Sequence, residues 1–121
     1  IFDYYKEQLK DLEGIDFMPI NEWNSPNCWL SCITLFKDCH SECNEESYIQ
    51  PIDIMLALEA ENIESRPIWK PMHLQPFFEE YDFIGSDVSQ TLFETGICLP
   101  SDTKMTDQDL ERICGLIKEM W

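Results

Sequence analysis

The chain has 121 residues, 44% of them hydrophobic, and its 24 acidic against 8 basic residues give a formal net charge of -16. This length predicts a single domain that can bury a hydrophobic core. Nucleic-acid phosphates and anionic membrane surfaces attract clustered cations, so we expect neither as a partner. No apolar run approaches the ~18 residues that a membrane-spanning helix needs. We expect a cytoplasmic protein whose acidic surface is solvated.

The first part of the chain predicts one helix and two strands. Apolar residues at helical spacing from residue 1 onward predict an opening helix, with Gly14 as a plausible C-cap. A short strand at residues 15–17 follows, and residues 28–36 have the strongest strand composition of the chain. Residues 37–50 are polar and acidic and predict a loop. The chain has no initiator Met and begins inside a helical pattern, so we expect it to be cut from something longer.

A second helix is predicted from Pro51, because proline suits the first helical position. Its inward-facing residues are Ile54, Met55 and Leu58. Asn62 can take the left-handed conformation that ends a helix. The sequence therefore predicts a helix of about three turns that packs one face against the core.

The same pattern of a helix, a helix-ending residue and a strand recurs nearer the end of the chain. Asp87 or Ser86 is a candidate cap for a short helix that ends at Gly96, and a strand follows it at residues 97–99. Thr106 is a good N-cap for the last helix. The predicted order is α-β-β-α-β-α-β-α, which favours an α+β two-layer sandwich, with a small, mostly antiparallel sheet and helices on one face.

The stretch RPIWKPMHLQP, residues 66–76, is the most unusual segment. Its three prolines exclude a helix interior and a central strand, because proline has no backbone N–H and restricts the preceding residue. It carries Arg66, Trp69, Lys70 and His73. These side chains are either surface groups on a stiff connector or ligand contacts presented by a rigid loop. The residues alone leave both interpretations open.

The six cysteines raise the question of a metal site. Cys28 and Cys32, together with Cys39, His40 and Cys43, offer sulfur and nitrogen ligands at close spacing. The alternative is that Cys28 and Cys32 lie on one face of a strand. In that interpretation Cys98 and Cys114 are small hydrophobic residues of the core. We expect free thiols and no metal. The sequence contains no nucleotide-binding glycine motif, nucleophile elbow or zinc-protease motif, and we predict no catalytic residue in it.

Two segments carry a family resemblance. AENIESRPIWKPMHLQP, residues 60–76, and GICLPSDTKMTDQDLERICGLIK, residues 96–118, resemble the C-terminal part of the DegT/DnrJ/EryC1/StrS family. These are sugar aminotransferases that depend on pyridoxal phosphate (PLP) and share the aspartate-aminotransferase fold. The opening IFDYYKEQLKDLEGIDFMP is similar to the family's interdomain helix and first small-domain strand. The resemblance implies that residues 1–121 form the small C-terminal domain, that residues 1–13 are a remnant of the interdomain helix, and that the large PLP-binding domain is absent.

The resemblance also implies a function. The parent enzyme would be a homodimer that transfers an amino group from glutamate to a nucleotide-linked 4-keto-6-deoxy sugar. Its Schiff-base lysine and PLP contacts would lie in the absent domain, so neither Lys70 nor Lys104 is assigned that role and this chain alone would be inactive. His73, Trp69, Arg66 and Lys70 would bind substrate. The alternatives are a standalone cysteine/histidine metal-binding module and a protein-interaction module.

Overall fold

The computed structural model describes residues 1–36 and 48–121. The strands form one four-stranded sheet of order β1-β2-β4-β3, in which every neighbouring pair is antiparallel. The elements, in chain order, are α1 (Phe2–Leu9), β1 (Ile15–Phe17), β2 (Ser31–Leu35), α2 (Pro51–Ala60), β3 (Arg66–Pro67), α3 (Val88–Thr95), β4 (Gly96–Leu99) and α4 (Asp107–Lys118). This is the predicted order, and the prediction of an α+β two-layer sandwich is confirmed.

The core lies between one face of the sheet and the helices α1, α2 and α4. Alternation along β2 buries Ser31, Ile33 and Leu35 on that face and leaves Cys32 and Thr34 only partly covered on the other. The apolar cluster comes from β2, β4 and the three helices: Tyr5, Leu9, Ile33, Leu35, Ile54, Leu58, Ile97, Leu99, Leu110, Ile113, Cys114 and Ile117. No helix in the described ranges is long and apolar enough to cross a membrane.

Helix α3 stands apart from that helical layer. It contributes no buried residue, and its neighbours in the fold are β4 and β2. Gly96 joins α3 to β4, and a Cβ at this position would lie 2.2 Å from the Cδ1 of Ile68 and 2.5 Å from the Leu92 carbonyl oxygen. Glycine is needed here because α3 and the segment after β3 both press against the start of β4.

The helix-start signals at Thr106 and Pro51 are confirmed, whereas Asp87 occupies the N-cap position of α3 without a side-chain cap hydrogen bond. The Thr106 hydroxyl accepts a hydrogen bond from the Asp109 backbone N–H at 3.3 Å, and the Asp109 carboxylate accepts one from the Thr106 N–H at 2.8 Å. These hydrogen bonds hold the pKa of the Asp109 carboxyl below its usual value. Pro51 is the first residue of α2, and Asn62 has the left-handed backbone conformation, with φ of 59°.

Two predicted boundaries were wrong. Helix α1 ends at Leu9, with Lys10 as its C-cap, so Gly14 does not cap it. Gly14 lies in the turn before β1, with φ of 83°, where its carbonyl accepts the Phe36 N–H at 2.8 Å. The strand predicted at residues 28–36 begins only at Ser31, because Cys28 has φ of 49°, outside the extended region. Cys28 and Cys32 therefore do not share a strand face.

Candidate functional site

A groove opens where β3 pairs with β4 at the edge of the sheet. Arg66 lies opposite Cys98 in this pair, and Pro67 lies opposite Ile97. Proline is tolerated on this edge strand, where the ladder needs fewer backbone donors. The groove has a volume of about 630 Å³ and is lined by Trp29, Leu30, Glu64, Ser65, Arg66, Pro67, Ile68, Trp69, Lys70, Phe93, Cys98, Leu99, Pro100 and Ser101. The first five residues of the proline-rich stretch, 66–70, therefore border one concave surface.

Two cations line this groove. Arg66 forms an ion pair with Glu64, and both side chains are largely exposed. Lys70 is also exposed, and its backbone carbonyl accepts a hydrogen bond from the Gln75 side-chain amide at 3.0 Å, which fixes the turn that follows it. An exposed ion pair is weak because water screens it, so Arg66 can exchange its carboxylate partner for a ligand anion at little cost.

Two tryptophans flank the same groove. The ring centroids of Trp29 and Trp69 are 6.5 Å apart with an interplanar angle of 39°, and the side chains are 70% and 67% exposed. Tryptophan rings this exposed leave large apolar faces in contact with water. Sequence reasoning missed Trp29, which it had placed inside a strand. The available signal was the turn-forming run SPN before Cys28, since a turn there moves Trp29 out of the sheet.

His73 occupies a different environment. It lies in a 3-10 turn, Met72–Leu74, and is half-buried. Its ring stacks on Phe83 with centroids 3.8 Å apart and an interplanar angle of 19°. The structure thus brings Arg66, Trp69 and Lys70 together along the groove and leaves His73 outside the set of residues that lines it.

The groove wall formed by residues 99–101 is held by partly buried hydrogen bonds. The Tyr5 hydroxyl donates to the Pro100 carbonyl oxygen at 2.9 Å, which ties α1 to the end of β4. The Ser31 backbone N–H donates to the Ser101 hydroxyl at 2.9 Å, and that hydroxyl donates to the Leu99 carbonyl oxygen at 3.0 Å. Burial raises the pKa of Tyr5 far above its ordinary value, so the phenol remains a donor.

The cysteines do not form a metal site in the part of the chain that is described. Among those residues, no three metal-binding side chains converge. Cys39, His40 and Cys43, which the metal hypothesis requires, lie outside the described residues. Cys114 belongs to the core, as one interpretation of the sequence predicted. Cys98 is buried as predicted but faces Cys32 on the other side of the sheet, with 3.5 Å between the two sulfurs.

The lining residues do not fit PLP. That cofactor requires a lysine for its Schiff base, a partner for its pyridine nitrogen and a phosphate cradle. Lys70 is the one lysine of the groove, and it is exposed. Glu64, the one carboxylate of the groove, is paired with Arg66. The groove is instead an open surface that combines two cations and one carboxylate with two exposed tryptophans.

Comparisons with known proteins agree with this fold. The family model of the DegT/DnrJ/EryC1/StrS aminotransferase family matches residues 1–118. The chain belongs to this family.

Two curated relatives and one solved structure illustrate the similarity. The chain is 36% identical to EpsN of Bacillus subtilis (strain 168), named as a pyridoxal phosphate-dependent aminotransferase, over 100% of this chain and 30% of EpsN. It is 31% identical to GDP-perosamine synthase of Vibrio cholerae, over 89% of this chain and 28% of that enzyme. The structure of DesI in the presence of its TDP-sugar product matches with a TM-score of 0.76 at 21% identity, covering 98% of this chain and 29% of DesI, which shows the shared fold. The chain thus spans under a third of the length of these relatives.

Proposed function

We propose that residues 1–121 are the small C-terminal domain of a PLP-dependent aminotransferase that transfers an amino group from glutamate to a nucleotide-linked 4-keto-6-deoxy sugar. In this proposal residues 1–13 belong to the interdomain helix, and a large domain preceding them binds PLP. Family membership and the share of each relative that the chain spans support this division. The parent is proposed to be a cytoplasmic homodimer.

The observation that carries the proposal is the groove with two cations beside two tryptophans. In a chain of net charge -16, the groove carries two cations, Arg66 and Lys70, against one carboxylate, Glu64, and is therefore locally basic. A nucleotide sugar combines a diphosphate with a flat base and a sugar ring. The Arg66 guanidinium can bind phosphate oxygens through two parallel hydrogen bonds, and Lys70 adds a point charge. Trp29 and Trp69 present the apolar faces on which a base or sugar ring packs.

His73 remains part of the proposed substrate site through its position on the same loop. It lies three residues after Lys70. Stacking on Phe83 fixes the plane of the imidazole, so its ring nitrogens can form hydrogen bonds only in set directions. We assign His73 a hydrogen bond to the sugar, which would reach it from the side of the large domain.

In this proposal the chain binds, orients and shields the substrate. PLP, bound elsewhere in the parent, supplies the electron sink for amino transfer. The residues of this domain hold the sugar nucleotide by its diphosphate and its flat faces. The apolar groove wall keeps water from the bound substrate.

The test uses the full-length parent. We expect a PLP absorbance band and transfer of labelled nitrogen from glutamate to the keto sugar. Arg66→Ala and Lys70→Ala should each raise KM for the sugar nucleotide about 10- to 100-fold, the loss of one charge-assisted interaction. KM for glutamate should not change. Lys104→Ala is the matched control, because Lys104 is exposed and does not line the groove.

Two results would count against the proposal in different ways. A parent without PLP would refute the enzyme assignment itself. An active enzyme whose sugar KM is unchanged by Arg66→Ala, Lys70→Ala and Trp69→Ala would refute only the assignment of the groove to substrate. His73→Asn tests a residue outside the groove, so unchanged KM and kcat for the sugar in this variant would refute only the hydrogen bond assigned to His73.

A protein-interaction module is the second candidate function, and exposed apolar side chains between Trp69 and α3 favour it. Phe77 is 78% exposed, Tyr81 64% and Ile84 99%. The rings of Phe77 and Tyr81 both lie beside Phe78, with centroids 5.0 and 6.3 Å away, and a contiguous apolar surface of this kind usually marks an interface. In the first proposal the large domain covers it. Sedimentation of the parent and of residues 1–121 discriminates between them. A parent that stops at a dimer, with concentration-dependent self-association of the isolated domain, would favour the first proposal, whereas a parent that assembles beyond a dimer, with that assembly lost in Phe77→Ser, would favour the interaction module.

A further inference from the structure

Cys32 and Cys98 form a pair of free thiols on the face of the sheet that bears the groove. They lie directly opposite each other on β2 and β4, and 3.5 Å separates their sulfurs. Both are unoxidised in the structure. Arg66 lies opposite Cys98 on the other side, so a row of three residues crosses β2, β4 and β3 beside the groove.

We propose that Cys32 and Cys98 are a redox modification site, which a small-molecule disulfide such as glutathione disulfide converts to a cross-strand disulfide. The backbone already has the required spacing. Directly opposed residues of antiparallel strands have Cα atoms about 4.5–5.5 Å apart, within the ~4.4–6.8 Å range of disulfides. The sulfurs must close from 3.5 Å to about 2.05 Å, which side-chain rotation supplies.

The exposure of the two thiols sets the order of the reaction. Cys98 is 6% exposed, and burial together with its hydrogen bond to Cys32 raises the pKa of its thiol to about 12. Cys32 is only partly buried, so an oxidant meets it first. The Cys32 thiolate attacks one sulfur of the oxidant, a mixed disulfide forms, and the first small thiol leaves.

The second step closes the bridge. Cys98 gives up its proton, and its sulfur attacks the Cys32 sulfur and displaces the second small thiol. Two S–H bonds are lost and one S–S bond forms, while the oxidant is reduced to two thiols. The new bond would fix β2 to β4 beside Arg66 and so constrain the strands that carry the groove.

The experiment is peptide mapping of the protein at its natural length. The protein is incubated with glutathione disulfide, its remaining thiols are alkylated, and it is cleaved after Lys, Arg and Glu. This cleavage leaves Cys98 as the one cysteine in residues 95–104, while Cys32 shares residues 23–37 with Cys28. The matched control Cys28→Ser makes Cys32 the one cysteine of that peptide.

We expect a cross-linked pair of these two peptides that separates on reduction. The cross-link should persist in Cys28→Ser and disappear in Cys32→Ser. Recovery of Cys98 in alkylated form, with Cys32 either alkylated or held as a glutathione adduct, would overturn the proposal. Loss of the cross-link in Cys28→Ser would overturn it too. If Cys32→Ser fails to fold, Cys28→Ser alone still decides the assignment.

Discussion

The hydrogen bond from Tyr5 to the Pro100 carbonyl gives the most direct test of how the groove is held. Tyr5→Phe removes the donor and keeps the aromatic ring, so the core stays filled. The hydroxyl is 2.9 Å from its acceptor, and the Tyr5 side chain is fully buried. The mutation loses one hydrogen bond and leaves a poorly solvated carbonyl, which together cost about 1–2 kcal/mol.

Urea unfolding of the chain, followed by circular dichroism, measures this cost. With an m-value near the middle of the usual range, ~1.5 kcal/mol per M, the midpoint should fall by about 1 M. Tyr81→Phe is the control, because Tyr81 is 64% exposed and its replacement should leave the midpoint nearly unchanged. Equal midpoints for wild type and Tyr5→Phe would refute the view that this hydrogen bond anchors the groove wall.

The same tyrosine predicts a dependence on pH. Burial raises the pKa of Tyr5 above its ordinary value of 10.0. The phenol therefore ionises more readily in the unfolded chain than in the folded one. Its contribution to stability is complete below pH 10.0 and is lost as the pH rises through the folded-state pKa. The difference in unfolding free energy between wild type and Tyr5→Phe should thus shrink above pH 10.0. A constant difference there would contradict the burial argument.

Five further substitutions test the local structure by thermal and urea unfolding. Thr106→Ala should destabilise the chain by about 1 kcal/mol through loss of the N-cap, and an unchanged melting temperature would contradict this. Gly14→Ala should cost about 1–2 kcal/mol, because φ is 83° and the new Cβ would lie 2.7 Å from a carbonyl oxygen. A Cβ at Gly115 would have no heavy atom within 4 Å, so Gly115→Ala should instead stabilise the chain by about 0.5–1 kcal/mol. Changes in stability of the same sign for Gly14→Ala and Gly115→Ala would refute this reasoning. Leu58→Ala should cost about 2–5 kcal/mol, whereas Leu56→Ala, 55% exposed on the same helix, should cost much less.

The architecture followed from signals that are local in sequence. Thr106 marks a helix start because its hydroxyl can accept a hydrogen bond from a free N–H of the first turn. Pro51 marks one because the first helical position tolerates a residue without a backbone N–H. The boundary errors arose where neighbours in space decide the conformation. Gly14 has a left-handed conformation in the turn before β1, and its carbonyl oxygen accepts a hydrogen bond from the Phe36 N–H. It therefore helps to form the sheet and does not end the helix.

The candidate site was predicted only in part, because the sequence shows local backbone restrictions and not contacts between distant residues. Arg66, Trp69 and Lys70 stood out because the prolines around them fix an extended backbone. Trp29 could not be assigned, because it meets Trp69 only through the folded sheet. His73 lies on the predicted loop but outside the groove lining, since the turn at Met72 redirects the chain after Lys70.

The sequence by itself determined the class of fold, the order of its elements and the loop that carries the cations, because helix caps, strand composition and proline act over a few residues. Tertiary structure alone decided which residues meet. Cys32 and Cys98 are 66 positions apart in the chain. Their opposition depends on the register of β2 against β4, and the position of Arg66 beside them depends on the register of β3 against β4. The register of β2 against β4 is set by burying Ile33 and Ile97 on the same helical face, since a shift of β2 by one residue would turn Ile33 outward while Ile97 stayed buried.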